Sequence, residues 1–135
     1  MFIYRDRVRM DETDKMGVVY HANYLSWMSV GRENYLKSKN IDLNELMRDG
    51  MLFPIREVHV KYKHSAHFDD EYEIQTTLEK LTRASMTFSV KIILSKDHTV
   101  LIEGETVSAF TDMKGKIKRL PLPWFQRFQR LLEDN

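Results

Sequence analysis

The chain has 135 residues, with 21 Lys and Arg against 20 Asp and Glu and a net charge of +1 at pH 7. Its 42% of hydrophobic residues exclude a mainly disordered chain, and the balanced charge argues against a nucleic-acid binder despite the short basic cluster Lys114, Lys116, Lys118 and Arg119. The absence of cysteine excludes disulfides, a thiol nucleophile and Cys-based zinc sites.

The first half of the chain predicts one strand and two helices. β-favouring residues predict a strand over 2–9, and the aperiodic stretch 10–21 reads as a loop. A helix follows, and Gly31 on its apolar face would let a neighbouring element approach closely. That face carries Tyr24, Trp27, Met28, Gly31, Tyr35 and Leu36. A second, short helix is predicted from Asp42 to Met47, with Glu45 completing a capping box and Gly50 as its stop.

The second half predicts four consecutive strands and a closing helix. Apolar and polar residues alternate over 57–63, 72–78 and 86–94, and the first of these runs reads as a half-buried strand. A fourth run begins at Val100, and its apolar parity switches at Gly104, which predicts a β-bulge. Short polar connections favour an antiparallel meander. The last helix is expected from Pro123, with the apolar stripe Trp124, Phe125, Phe128, Leu131 and Leu132.

These elements predict an α+β fold in which the long helix covers one face of an antiparallel sheet. We expect a single domain over residues 1–135. No apolar run approaches the roughly 20 residues that span a bilayer. Charges from Arg5 onward do not suit a signal peptide. We therefore expect a cytoplasmic protein with no integral membrane segment.

The segment 11–24 is the best candidate for chemistry. It places three acids, a glycine and a histidine before a helix start, where free N–H groups can polarise a carbonyl. Asp14 could act there as a general base or a nucleophile, and His21 could orient water or hydrogen-bond a carbonyl. A purely structural interpretation competes: Asp14 caps a turn, His21 is a satisfied polar residue, and Asn23 is the helix N-cap.

Other motifs are weak. His59, His64 and His67 would alternate between opposite faces of an extended strand, so we expect no metal site. The sequence contains no GxSxG elbow, P-loop or GxGxxG fingerprint, and we expect no metal or organic cofactor.

The run from Thr13 to Leu25, T-D-K-M-G-V-V-Y-H-A-N-Y-L, closely resembles the signature of the 4-hydroxybenzoyl-CoA thioesterase family. The nearest branch is similar to the acyl-CoA thioesterases associated with the Tol–Pal system, where the signature reads roughly D-T-D-x-x-G-V-V-Y-H-A-N-Y. This chain departs from it at Glu12, and at Ser29 it lacks the glutamate of the Glu-Arg-Ala-Arg that relatives carry. Arg32 matches the helix arginine of that motif.

The resemblance implies a hotdog fold, a curved antiparallel sheet of about five strands wrapped around a long central helix. It also implies homodimers whose sheets join edge to edge, commonly paired again into homotetramers, with active sites between subunits. Joining the sheets would protect an exposed edge.

The resemblance also assigns residues to the reaction. Asp14 matches the catalytic aspartate, acting as nucleophile or as base. Gly17 matches a loop glycine that lets the backbone approach the substrate. His21 matches the helix-start residue whose N–H binds the thioester carbonyl and whose imidazole is also implicated. Tyr20 and Asn23 match residues that shape the site.

A second matching segment, Thr82-Arg83-Ala84-Ser85, resembles a turn near the pantetheine and CoA phosphates of relatives. Arg83, Ala84 and Ser85 are therefore the expected substrate-binding residues there, with Arg83 as the phosphate contact.

The expected function is hydrolysis of an acyl-CoA thioester to a free acid and CoA. Acyl carrier protein in place of CoA is left open. Two alternatives are carried along. One is a hotdog hydratase or dehydratase acting on acyl-CoA or acyl carrier protein. The other is a non-catalytic acyl-binding or scaffold protein at a cell-envelope complex.

Overall fold

The computed structural model describes residues 1–133 as one five-stranded sheet and three helices. In chain order the elements are β1 (Phe2–Arg7), α1 (His21–Ser38), α2 (Leu43–Arg48), β2 (Ile55–Tyr62), β3 (Glu71–Leu81), β4 (Ser85–Leu94), β5 (Val100–Ala109) and α3 (Leu122–Glu133). The predicted loop 10–21 holds one 3-10 turn at Met10–Glu12 and otherwise no helix before His21.

The strands lie in the order β1-β3-β4-β5-β2, and every neighbouring pair is antiparallel. The predicted meander is confirmed for β3 to β5 only. β2 pairs with β5 rather than with its sequence neighbour β3. The connection 63–70 is too long for a tight hairpin. It takes the chain from β2 at one edge of the sheet to β3, which lies next to the strand at the opposite edge.

The prediction that β2 is half-buried is wrong for the single chain. β2 is the edge strand beyond β5, and seven of its eight residues are exposed. Val58 is 42% exposed and Tyr62 44% exposed, although both belong to the apolar set of the alternating pattern. The pattern identified a strand correctly, but the surface that would cover it is not part of this chain.

The β-bulge predicted at Gly104 is also wrong. The pairing of β5 with β4 and with β2 is continuous through Gly104. Thr106 and Ser108 are buried and continue the inward parity of Ile102 and Gly104. The apparent switch arose because these small hydroxyl residues occupy core-facing positions that the pattern reads as polar.

α1 lies against the sheet at very short range. A Cβ at Gly31 would lie 2.6 Å from Ile74 Cγ2, so only glycine permits this approach of α1 to β3. One turn earlier, the indole of Trp27 stacks on the ring of Tyr72 with centroids 4.0 Å apart. The close approach predicted for Gly31 is thereby confirmed.

The core falls into two clusters along α1. The first half of the helix packs against the sheet through Tyr24, Trp27 and Met28. The second half packs with α2 and α3, whose predicted apolar stripe is confirmed by the buried Trp124, Phe128 and Leu131.

The predicted cap of α2 is confirmed in part. Asp42 caps the helix by accepting a 2.9 Å hydrogen bond from the Asn44 N–H. The expected capping-box partner, Glu45, instead pairs with Arg127 at 3.2 Å. α2 is thus tied to its own N-cap and to α3.

Candidate active site

Asp14 closes a tight turn with its own side chain. Its Oδ1 accepts hydrogen bonds from the Met16 N–H at 2.8 Å and the Val18 N–H at 3.3 Å, and its carbonyl accepts from the Gly17 N–H at 3.0 Å. Gly17 has φ +79°, a left-handed conformation that favours glycine. The turn-capping interpretation of Asp14 is confirmed. Both side-chain bonds end on Oδ1, so within residues 1–133 Oδ2 has no hydrogen-bond partner.

The turn is held against the segment that precedes β3. Thr13 pairs with Val19 across the loop, and Val18 pairs with His67. The Val19 N–H donates to the Ala66 carbonyl at 2.9 Å. The Asp14 turn is therefore fixed by backbone pairing on both of its flanks.

Glu12 is the buried anchor of this loop. The residue is 6% exposed, and its Oε2 accepts from the Trp27 indole N–H at 2.7 Å while its Oε1 accepts from the Arg9 N–H at 2.9 Å. Its carbonyl accepts from the Tyr20 N–H at 3.2 Å and from Asn23 Nδ2 at 2.7 Å. Sequence reasoning missed this role, and the one signal for it was that Glu12 departs from the aspartate of the resembling signature.

The start of α1 is left without a side-chain cap. Tyr20 is the N-cap residue and His21 the first helical residue, so the alternative prediction of Asn23 as N-cap is wrong. Asn23 has its amide committed to the Glu12 carbonyl instead. The N–H groups of His21 and Ala22 donate to no group within residues 1–133, and such groups carry the positive end of the helix dipole.

His21 lies on the surface beside the end of β2. Its ring is 4.6 Å from the ring of Tyr62, and its carbonyl accepts a 3.3 Å hydrogen bond from the Tyr62 hydroxyl. The Tyr24 ring packs against Tyr62, and its hydroxyl accepts a 3.0 Å hydrogen bond from the Ala66 N–H. Burial raises the pKa of Tyr24, so its phenol is neutral near pH 7. The exposed imidazole thus contacts Tyr62, whose ring packs in turn against the neutral phenol of Tyr24.

Arg83, Ala84 and Ser85 lie at the opposite end of the sheet. Arg83 Nε donates to the Leu120 carbonyl at 2.9 Å, and the N–H groups of Ala84 and Ser85 both donate to Thr82 Oγ1 at 3.0 Å. The Asp14 loop contacts the residues just before β3, whereas these residues follow it. The eleven residues of β3 therefore separate the two groups by about 35 Å. One chain brings Asp14, Gly17, Tyr20, His21 and Asn23 together and leaves Arg83, Ala84 and Ser85 apart.

Of the three histidines predicted to alternate along a strand, only His59 lies in β2, and His64 and His67 lie in the connection to β3. His64 Nδ1 lies 3.0 Å from the Val100 carbonyl, and His67 lies beside Asp70. No cluster of three or more His, Cys, Asp or Glu side chains suited to a metal ion occurs within residues 1–133. In the same range, no helix has the length and apolar character to cross a membrane.

Comparisons with known proteins identify the family of this chain. The family profile described as the thioesterase-like superfamily matches residues 8–130. The acyl-CoA thioester hydrolase YbgC of Escherichia coli O6:H1 is 32% identical over 122 residues, which are 90% of this chain and 90% of the relative. The acyl-CoA thioesterase YbgC of Haemophilus influenzae is 28% identical over 123 residues, 90% of this chain and 88% of that one. Among solved structures, the DHNA-CoA thioesterase from Staphylococcus aureus superposes with a TM-score of 0.90 at 26% identity, covering 98% of this chain and 91% of that chain.

The fold and the comparisons define a thioester hydrolase of the hotdog class. The chain belongs to the thioesterase-like superfamily. The predictions of a hotdog fold and of an enzyme that cleaves thioesters are thereby confirmed.

Proposed function

We propose that this enzyme hydrolyses acyl-CoA thioesters to the free acid and CoA, with Asp14 as the catalytic residue. The observation that supports this most directly is the pairing of a fixed aspartate with an uncapped helix start. The Asp14 side chain is held through Oδ1 alone, and the Tyr20 N–H to Glu12 carbonyl bond ties its loop to the N-cap residue of α1.

The helix start supplies the electrophilic half of the reaction. The thioester carbonyl oxygen would accept hydrogen bonds from the free N–H groups of His21 and Ala22. These donors strengthen as negative charge develops on that oxygen, so they stabilise the transition state more than the bound substrate. The His21 imidazole, exposed beside Tyr62, can hold the water or protonate the departing thiolate.

Asp14 Oδ2 supplies the other half by one of two routes. As a nucleophile it forms a C–O bond to the acyl carbon while the C–S bond breaks, and water then cleaves the resulting anhydride. As a base it takes a proton from water, whose oxygen attacks the carbon directly. Both routes consume one water and yield one acid and one thiol. Label found in Asp14 after single-turnover hydrolysis in ¹⁸O-water identifies the nucleophilic route with water attacking the Asp14 carbon of the anhydride, because the base route forms no bond to Asp14.

The choice of an acyl-CoA substrate is supported by the names of the relatives, which are described as acyl-CoA and DHNA-CoA thioesterases. We further propose that the chain belongs to the 4-hydroxybenzoyl-CoA thioesterase family, with the Tol–Pal-associated acyl-CoA thioesterases as its nearest branch. We also propose the cytoplasm as the site of action, in line with the lack of cysteine. A panel of short, long and aromatic acyl-CoAs, with matched acyl carrier protein thioesters, ranks these substrates.

We also propose that the enzyme works as a homodimer joined through β2. This edge strand exposes Val58 and Tyr62, as expected of a strand that pairs with another chain. A two-fold pairing of β2 with its copy sets the Ile55 end of one chain beside the Tyr62 end of the other. Because Ile55 pairs with Ser108 of β5 and Ser85 with Ala109, this brings the Arg83 turn of one copy toward the His21 end of the other.

The decisive experiment is thiol release by the parent and by Asp14→Asn. We expect kcat to fall by about 10³-fold or more, because the amide can neither attack nor accept the proton. The amide oxygen can still cap the turn, so the fold should remain. Asp11→Asn is the matched control, since this neighbouring carboxylate is exposed and only pairs with Arg9. Near-parent turnover in Asp14→Asn would remove Asp14 from the mechanism, and enoyl hydration without thiol release would favour a hydratase.

A further inference from the structure

Arg32, in the fourth turn of α1, is a buried cation without an acidic partner within residues 1–133. The residue is 7% exposed, and its Nη2 donates a 3.2 Å hydrogen bond to Ser29 Oγ. Its Nε and Nη1 are buried and have no acceptor within residues 1–133. Burial lowers the pKa of Arg32 from its ordinary value and neighbouring Glu33 raises it, but a guanidinium remains charged at neutral pH. Buried charges are normally paired, so this one calls for an acceptor from outside the described chain.

Arg32 lies on the same face of α1 as the proposed reaction centre. His21, Leu25, Met28 and Arg32 are spaced i, i+4, i+7 and i+11, which aligns them in one stripe. The Ser29 bond shows that the guanidinium folds back toward the helix start. Eight residues separate His21 from Ser29, so the cation lies about 12 Å along the helix from the carbonyl-binding amides.

This stripe faces β5, where further polar groups are buried. Met28 Cε lies 3.3 Å from the position that a Cβ of Gly104 would take, which places this part of α1 over β5. The next inward residues of β5 are Thr106 and Ser108, and both hydroxyls are buried without a partner. Because α1 and β5 run in the same direction, Arg32 lies at the level of these hydroxyls. The Arg32 end of the stripe is therefore polar, and it carries several hydrogen-bond donors that have no partner within residues 1–133.

We propose that Arg32, together with Ser29, binds a carboxylate at the far end of the acyl group and makes the enzyme selective for thioesters of dicarboxylic acids. The inference rests on the proposed acyl-CoA hydrolysis. A planar guanidinium is the cation best matched to a carboxylate. The Arg32 guanidinium is already buried in the free protein. Much of its desolvation cost is therefore met during folding rather than on binding.

The spacing defines the length of the acyl group. A span of about 12 Å corresponds to roughly ten bonds of an extended acyl chain. The acyl chain itself is shorter than this, because the hydrogen-bond distances at its two ends take up part of the span. Leu25 and Met28 are the apolar residues of the intervening stretch of the stripe, and the buried Met28, which packs on Gly104, would have to shift to admit a methylene chain. A medium-length chain with a carboxylate at its far end meets both conditions.

The test compares CoA thioesters of dicarboxylic acids with those of monocarboxylic acids of equal length, from six to twelve carbons. We expect the parent to prefer the dicarboxylic series by at least 10-fold in kcat/KM at the optimal length. Arg32→Met, which keeps the volume and removes the charge, should reverse that preference, mainly through KM. Lys37→Met removes a cation from the exposed side of the same helix and should keep the parental ratio.

A second variant guards against a folding defect in the first. Ser29→Glu would place a carboxylate three residues before Arg32, where it can pair with the guanidinium in the chain. We expect it to lose the dicarboxylic preference. As a readout without turnover, free dicarboxylates should raise the Tm of the parent but not that of Arg32→Met.

The outcomes separate the two proposals. If the parent cleaves no acyl-CoA, the proposed function fails. If it cleaves monocarboxylic thioesters with no dicarboxylic preference at any length, only the Arg32 proposal is overturned. The Arg32 proposal is also overturned if Arg32→Met keeps the parental ratio of dicarboxylic to monocarboxylic kcat/KM and its oligomer mass changes. That result would assign the guanidinium to a contact between copies of the chain.

Discussion

The two ends of the sheet differ in what they offer a substrate. At the loop end, Asp14 and the α1 start are fixed by a dense set of backbone and buried side-chain hydrogen bonds. At the turn end, Arg83 carries a cation on a hairpin whose polar groups mostly bond to one another. The first arrangement is suited to holding reacting atoms still, the second to a contact with a charged, solvated group. Under the proposed function, reaction chemistry and binding of the carrier are thus separated within one chain.

The largest effect is expected from disrupting the β2 edge, which tests whether the two ends of the sheet act together. If a second copy brings the two ends together, Val58→Lys should dissociate the dimer and lower kcat/KM by about 100-fold, because a buried unpaired charge is costly at an interface. Size-exclusion chromatography with light scattering and thiol release measure the two effects. The equivalent change on the other edge strand, Ile3→Lys in β1, should leave the mass unchanged. A fully active Val58→Lys monomer would show that each chain holds a complete site.

A smaller effect is expected at the anchor of the loop end. Glu12→Leu leaves the buried Trp27 indole N–H without an acceptor, which should lower the free energy of unfolding by about 2–3 kcal/mol. kcat should fall as well, because the Asp14 loop loses the side-chain bond from Glu12 to Trp27, one of its ties to α1. Glu12→Gln keeps an acceptor oxygen and should retain most of both quantities. Denaturant unfolding and kcat together test this, and equal stability of all three proteins would contradict the anchoring role.

The smallest effect is expected at the turn end. Arg83→Met should raise KM for acyl-CoA by about 5-fold with little change in kcat, because a half-buried cation at the surface and a phosphate interact weakly in water. The difference should shrink as salt is added. Lys96→Met, in the exposed β4–β5 connection, is the control and should leave KM unchanged. An unaltered KM in Arg83→Met would restrict Arg83 to its hydrogen bond with the Leu120 carbonyl.

Local patterns in the sequence predicted most of the elements. The α1 stripe, the Asp42 cap, the strand alternations and the apolar face of α3 all reflect periodicities that a single element imposes on its own residues. The cluster around Asp14 and His21 was also within reach, because its residues are contiguous. Its assignment to thioester chemistry came from resemblance, since the same residues also read as a turn cap and a surface histidine.

What the sequence did not reveal depends on distant partners. β2 was misplaced because alternation does not show which strand pairs with which, and its apolar residues Val58 and Tyr62 are exposed at the edge of the sheet. The false bulge at Gly104 arose because Thr106 and Ser108 point inward, where periodicity expects apolar residues. Glu12 was missed because its indole partner lies 15 residues away on α1.

The absent side chain at Gly31 has a consequence for how such proteins diverge. With Ile74 Cγ2 and Thr76 Oγ1 lying 2.6 and 2.7 Å from where a methyl group would sit, position 31 cannot grow unless β3 gives way at the same time. Substitutions at 31, 74 and 76 are therefore coupled, and a homologous chain with a larger residue on the helix should carry compensating, smaller ones on the strand. These three positions should therefore vary together, and together they set the distance between α1 and the sheet.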